Sequence, residues 1–143
     1  MKKGKVLAID YGSKRVGIAT GDMEFGIAFP RAVLENKGVP VLIAEVKKFC
    51  DELEVDLIVV GLPLNMEREH EINKITNDVE YFVKELKKTL QGIEVELFDE
   101  RLSTFEGKEL MEDIKKRSAK AKLGRDAYAA QIILQRFFAK DRS

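Results

Sequence analysis

The chain has 143 residues, 45% of them hydrophobic and 35% charged, with 25 basic and 25 acidic side chains and a formal net charge of zero. This composition fits one soluble globular domain spanning 1–143 with a single core, and it leaves no chain-wide basic footprint, so any nucleic-acid surface must be local. The single cysteine, Cys50, and the single histidine, His70, exclude an intramolecular disulfide, a cysteine-built zinc site and a multi-histidine metal site.

No apolar run is long enough to span a bilayer. The basic start Met1-Lys2-Lys3-Gly4 leads into an apolar stretch cut short by Asp10, which does not read as a signal peptide, so a cytoplasmic location away from membranes is expected. Residues 4–10, 15–22 and 26–35 read as three consecutive strands, with Pro30 marking an edge position or a bulge in the third. Residues 39–53 change to helical spacing, with Leu42, Val46, Phe49, Cys50 and Leu53 on one face. Asp56 to Gly61 is a short apolar run of the kind buried on both faces of a sheet. A helix is expected from 70 to 90, a strand over 95–99, a helix opening at Ser103 with the capping pattern Ser103-Thr104-Phe105-Glu106, and a last helix over 125–140. Three strands followed by alternating helix and strand predict an α/β protein with a mixed five-stranded sheet. The first three strands form an antiparallel meander, and two parallel strands join through helical crossovers. The helical stripes at 72–90 and 127–137 are needed for the core, so no uncommitted apolar stripe announces a symmetric dimer.

Three acidic positions are candidates for chemistry. Asp10 ends the first strand, Asp99-Glu100 end the strand at 95–99, and Asp126 lies in the first turn of the last helix. Functional groups in α/β sheets collect beyond the carboxyl ends of parallel strands, where these three can meet. Hard oxygen donors without histidine or cysteine suit Mg²⁺ or Mn²⁺, which can clamp an in-line phosphoryl displacement. Each acid also has an ordinary reading: Asp10 as a turn stabiliser at Gly12, Asp99-Glu100-Arg101 as a solvated strand end, and Asp126 as a charge favoured at a helix N-terminus. Residues 115–125 carry six cations in eleven positions, Lys115, Lys116, Arg117, Lys120, Lys122 and Arg125, and no acid. Placed between two helices, this segment reads either as a mobile phosphate-binding loop or as a solvated connection. Gly61-Leu62-Pro63-Leu64-Asn65-Met66 adds a glycine that permits close backbone approach and an amide that can donate and accept.

Together, Asp10-Tyr11-Gly12 with Lys14-Arg15-Val16-Gly17-Ile18-Ala19, Val60-Gly61-Leu62-Pro63-Leu64-Asn65-Met66, Asp99-Glu100-Arg101-Leu102-Ser103-Thr104, and Asp126-Ala127 with Ala129-Ala130 and Ile133-Leu134-Gln135 resemble the YqgF family, also called RuvX. The resemblance covers essentially the whole chain. It implies an RNase H-like three-layer fold and a metal-dependent nuclease that processes the 5′ end of pre-16S rRNA in ribosome biogenesis. The alternatives it carries are resolution of four-way Holliday junctions and a non-catalytic, ribosome-associated binding protein. It further implies that Asp10, Glu100 and Asp126 hold Mg²⁺ or Mn²⁺. Lys14, Arg15, Asn65, Arg101 and Thr104 match polar positions around them, and structured RNA or ribosomal precursor particles are the implied partners. The run Glu67-Arg68-Glu69-His70 departs from the acidic residue and glycine that usually follow in the family. A phosphate-binding module of the actin and sugar-kinase type shares the Asp-x-Gly turn, but it needs a second related domain that this chain does not show.

Overall fold

The computed structural model describes residues 4–62, 69–99, 104–120 and 123–142. Their elements run β1 (Lys5–Asp10), β2 (Arg15–Asp22), β3 (Ile27–Glu35), α1 (Val39–Leu53), β4 (Val55–Gly61), α2 (Glu69–Thr89), β5 (Glu94–Phe98), α3 (Thr104–Lys120) and α4 (Arg125–Arg142). One mixed sheet has the order β3-β2-β1-β4-β5. β1–β2 and β2–β3 are antiparallel, and β1–β4 and β4–β5 are parallel. The expected meander and the two parallel additions are therefore present, and β1 lies at the centre of the sheet.

Alternation along the strands separates two cores. Leu7, Ile9, Val16, Ile18, Ile58 and Val60 face α1 and α2, whose Leu42, Val46, Cys50, Val79, Phe82 and Leu86 close the larger core. Val6, Ala8, Ala19, Ala28 and Val59 face α4, where Ala130, Ile133, Leu134, Phe137 and Phe138 form the second. Cys50 is 2% exposed, an ordinary small core residue with its thiol pushed up to about 11 by burial.

Pro30 lies where expected, on an edge strand beside a bulge in the β2–β3 register. The edge is closed by α4. Ala28 N–H donates to Gln135 Oε1 at 3.3 Å, Gln131 Nε2 donates to Ala28 O at 2.9 Å, and Gln135 Nε2 donates to Gly26 O at 3.3 Å. Pro30 itself offers no N–H, so this stretch gives an incoming strand little to pair with.

One expectation needs correction. The segment 115–125 does not lie wholly between two helices: α3 continues to Lys120, so Lys115, Lys116, Arg117 and Lys120 belong to its last turns. Ile114, fully buried, anchors that end of the helix. Lysine and arginine are good helix formers and are favoured near a helix C-terminus, so the run of cations extends the helix rather than ending it. The helical stripes at 72–90 and 127–137 do enter the two cores, and exposed apolar surface lies elsewhere. Ala32 and Leu34, in the second half of β3, pack against the larger core, and the first half of the strand does not. Phe25, Ile27 and Phe29 stay 69%, 52% and 59% exposed, around a groove of about 330 Å³ that Leu53 and Val55 also line.

Candidate active site

Asp10 is the last residue of the central strand, level with Gly17 of β2 and with Gly61 of β4, which in turn is level with Phe98 of β5. The carboxyl ends of the three parallel strands thus form one rim, and Asp99 leaves β5 there. Helix α4 brings Asp126 to the same place. Its first turn lies on Gly17, where a methyl group would overlap the Asp126 carbonyl oxygen. Only glycine permits this approach, and it sets the second acid beside the register partner of the first.

Asp10 is 8% exposed, and its Oδ1 has no hydrogen-bond partner among the described residues. Burial, and secondarily the charge of Asp126, push its carboxyl up from 3.8 to about 8. A buried carboxylate without a donor is costly. Asp126 is better placed for solvent, with its side chain 29% exposed, and it accepts from Arg15 Nε at 3.1 Å.

The turn between β1 and β2 is tied to the loop after β3. Asn36 Nδ2 donates to Gly12 O at 2.8 Å, and Asn36 N–H donates to Lys14 O at 2.8 Å. Asn36 is a site residue that sequence reasoning missed; the available signal was an amide directly after a strand and two positions before a glycine. A recess of about 560 Å³ opens beside the turn, lined by Ser13, Lys14, Arg15, Val33, Glu35 and Asn36.

The structure therefore brings together Asp10, Asp126, Arg15 and the Lys14 turn. Arg125 is the exposed first residue of α4. Glu100, Asn65, Arg101 and Lys122 lie outside the described residues, and Thr104 and Lys120 are the terminal residues of α3. Lys115 and Arg117 pair along α3 with Glu112 at 4.0 Å and Asp113 at 3.2 Å, and Lys116 is exposed. Among the described residues no three acidic, histidine or cysteine side chains form a metal-binding group. The described pair nonetheless suits a hard divalent cation. It offers oxygen donors only, and the buried Asp10 Oδ1, without a partner among the described residues, would gain from such an ion the positive charge that stabilises a carboxylate.

A five-stranded sheet of this order, with an acid closing its central strand and a helix carrying a second acid across it, defines an RNase H-like protein. The chain belongs to the RuvX family, whose model, described as "Holliday junction resolvase", matches residues 4–140. Relatives named "Putative pre-16S rRNA nuclease" include one from Dictyoglomus thermophilum, 41% identical over 93% of this chain and 94% of its own. Another, from Nitrosospira multiformis, is 35% identical over 94% of this chain and 87% of its own. Among solved structures, T. thermophilus RuvC in complex with a Holliday junction substrate superimposes with a TM-score of 0.60 at 13% identity, covering 97% of this chain and 96% of that one. The Fowlpox virus resolvase bound to Holliday junction DNA gives 0.59 at 13% identity, covering 97% of this chain and 99% of that one. At such identity these two show the fold. The family names indicate a hydrolase acting on nucleic acid.

Proposed function

We propose that this protein is a divalent-metal-dependent nuclease that trims the 5′ end of pre-16S rRNA during ribosome biogenesis. The observation that carries the reading is the buried Asp10 Oδ1, without a partner among the described residues, beside Asp126 at the carboxyl end of the sheet. Asp10 and Asp126 are the described members of the acid set, and Glu100, one residue beyond Asp99, completes it. They would hold Mg²⁺ or Mn²⁺. When bound, such an ion activates water and stabilises the charge that develops on a phosphodiester during in-line displacement.

The chain's own residues have separate tasks. Asp10, packed in the sheet, gives a donor whose position cannot wander, and it must lose its proton to ligate. Asp126 enters from the helix and closes the other side. Lys14 and Arg15, on a turn held by Asn36, flank the acids with guanidinium and ammonium groups suited to phosphate oxygens. Lys115, Lys116, Lys120, Lys122 and Arg125 would extend backbone contact without reading base sequence. The relatives' name supports the rRNA substrate, and the description of the family model supports the four-way junction as the second reading.

The test is a competition in Mg²⁺ or Mn²⁺ between a precursor rRNA fragment bearing its 5′ leader and a four-way DNA junction. We expect the leader to be cut, and Asp10→Asn to lose at least about 100-fold in rate by losing a direct metal ligand. Paired symmetric nicks in the junction with intact RNA would reverse the substrate assignment. Undiminished cutting by Asp10→Asn would remove the acid pair from the mechanism.

A further inference from the structure

Arg15 occupies a position that the proposed chemistry needs for something else. Its Nε lies 3.1 Å from Asp126 Oδ2, so the carboxylate assigned to a divalent cation already has a cation on it. The pair is loose. The Arg15 side chain is 67% exposed, and it meets Asp126 through Nε rather than through the two-pronged face that binds carboxylates most tightly. The backbone beneath it is fixed, because Asn36 grips both Gly12 O and Lys14 O, whereas the long side chain projects beside an open recess. Arg15 can therefore leave Asp126 by rotating its side chain, with no movement of the strand.

Electrostatics then links two events. A divalent ion on Asp126 and a guanidinium 3.1 Å from its Oδ2 repel each other, so metal entry favours displacement of Arg15. A phosphate drawn into the recess beside Lys14 gives the displaced guanidinium a planar, doubly accepting partner. We propose that Arg15 is an exchangeable counter-ion, neutralising Asp126 in the free protein and moving to a substrate phosphate when metal takes Asp126, so that nucleic acid and metal promote each other's binding. This rests on the metal-dependent reading above. It adds a device by which the site favours loading its ion on substrate rather than before it.

The size of the effect follows from the exposure of the pair. Exposed ion pairs of this kind change an equilibrium constant by at most about fivefold. Mn²⁺ binding is measured on the full chain by the loss of free-ion EPR signal, with and without a saturating phosphorothioate RNA oligonucleotide. Without oligonucleotide, Arg15→Gln should bind Mn²⁺ about two- to fivefold more tightly than the wild type. Arg15→Lys, which keeps the charge, should stay near the wild type. With oligonucleotide, Mn²⁺ binding should tighten more in the wild type than in Arg15→Gln by that same factor, and the oligonucleotide's affinity should respond reciprocally to Mn²⁺.

Equal or weaker Mn²⁺ binding by Arg15→Gln in the free protein overturns the proposal, since Arg15 would then support the metal position rather than compete for it. Equal tightening by oligonucleotide in both proteins overturns the linkage. Absence of any Mn²⁺ binding that Asp10→Asn abolishes overturns the metal-dependent reading itself, a result distinct from the other two.

Discussion

The same strands present two differently built faces. Toward α1 and α2 they turn Leu7, Ile9, Val16, Ile18, Ile58 and Val60, and the helices answer with side chains as large as Phe82 and Leu86. Toward α4 they turn Val6, Leu57 and Val59, but otherwise the small Ala8, Ala19 and Ala28 and the glycines 17, 21 and 61, where Asp126, Phe138 and Ile133 take the room that a side chain would need. Large side chains on both partners hold a helix at a distance and bury much area. Small ones let a helix backbone settle onto the strands and bury less. The large face is thus the main source of stability, and the small face places a helix N-terminus beside the end of β1. Assembly of an acid pair needs the second kind of contact.

Substitutions on the two faces should separate these roles. Phe82→Ala, in the large face and stacked 5.0 Å from Tyr11, should cost about 3–5 kcal/mol in urea unfolding. Mn²⁺ affinity of the folded fraction should be unchanged. Gly17→Ala, on the small face, should cost about 1–3 kcal/mol as α4 lifts from the strand. It should also weaken Mn²⁺ binding, because Asp126 moves with the helix; lost stability with intact metal affinity would show that α4's seat does not set the pair.

Asp10 gives the comparison a pH axis. In the folded protein its carboxyl holds its proton up to about 8, whereas an ordinary carboxyl near 3.8 releases it. Between those values the folded state binds more protons than the unfolded state, so metal-free stability falls as pH rises from about 4 to about 8. Asp10→Asn should remove that decline, and its advantage in Tm should grow across the same interval and then level off. Mn²⁺ affinity of the wild type should instead rise with pH there, since ligation must displace the proton. A flat difference in Tm would mean that Asp10 is ionised and satisfied.

The smallest effect is expected from α3. Neutralising Lys115, Lys116 and Arg117 together should flatten the slope of log affinity against log salt for RNA by less than about 0.7 per residue removed. Lys115 and Arg117 already pair with Glu112 and Asp113, which lowers the charge they offer to phosphate. An unchanged slope would confine substrate contact to the Lys14–Arg15 turn and other cations.

Much of this architecture is legible in the chain because each element has a single pattern. Leu7 and Ile9 alternate with Ala8, Val79 to Leu86 keep a helical period, and Asp10 interrupts an apolar strand where a charge needs a reason. The basic run at 115–120 was harder to place, because high charge suggests a loop while lysine and arginine also sustain a helix. The tether by Asn36 depends on two loops meeting 24 residues apart, which no local pattern records. The exposed Ile27 and Phe29 read as ordinary strand residues and Phe25 as part of the turn before them, and which strand residues a helix leaves uncovered is a property of packing.

The contact between Arg15 and Asp126 spans 111 residues of chain. The β1–β2–β3 meander pairs neighbours in sequence and can form early, whereas α4 arrives only after both parallel crossovers have been made. During synthesis from the N-terminus, Asp10 therefore emerges and finds its strand partners well before the second acid exists. Until then the end of β1 stays open to water and carries no neighbouring negative charge from α4. The electrostatic conflict is deferred to the docking of a helix, when the rest of the sheet is in place to hold it.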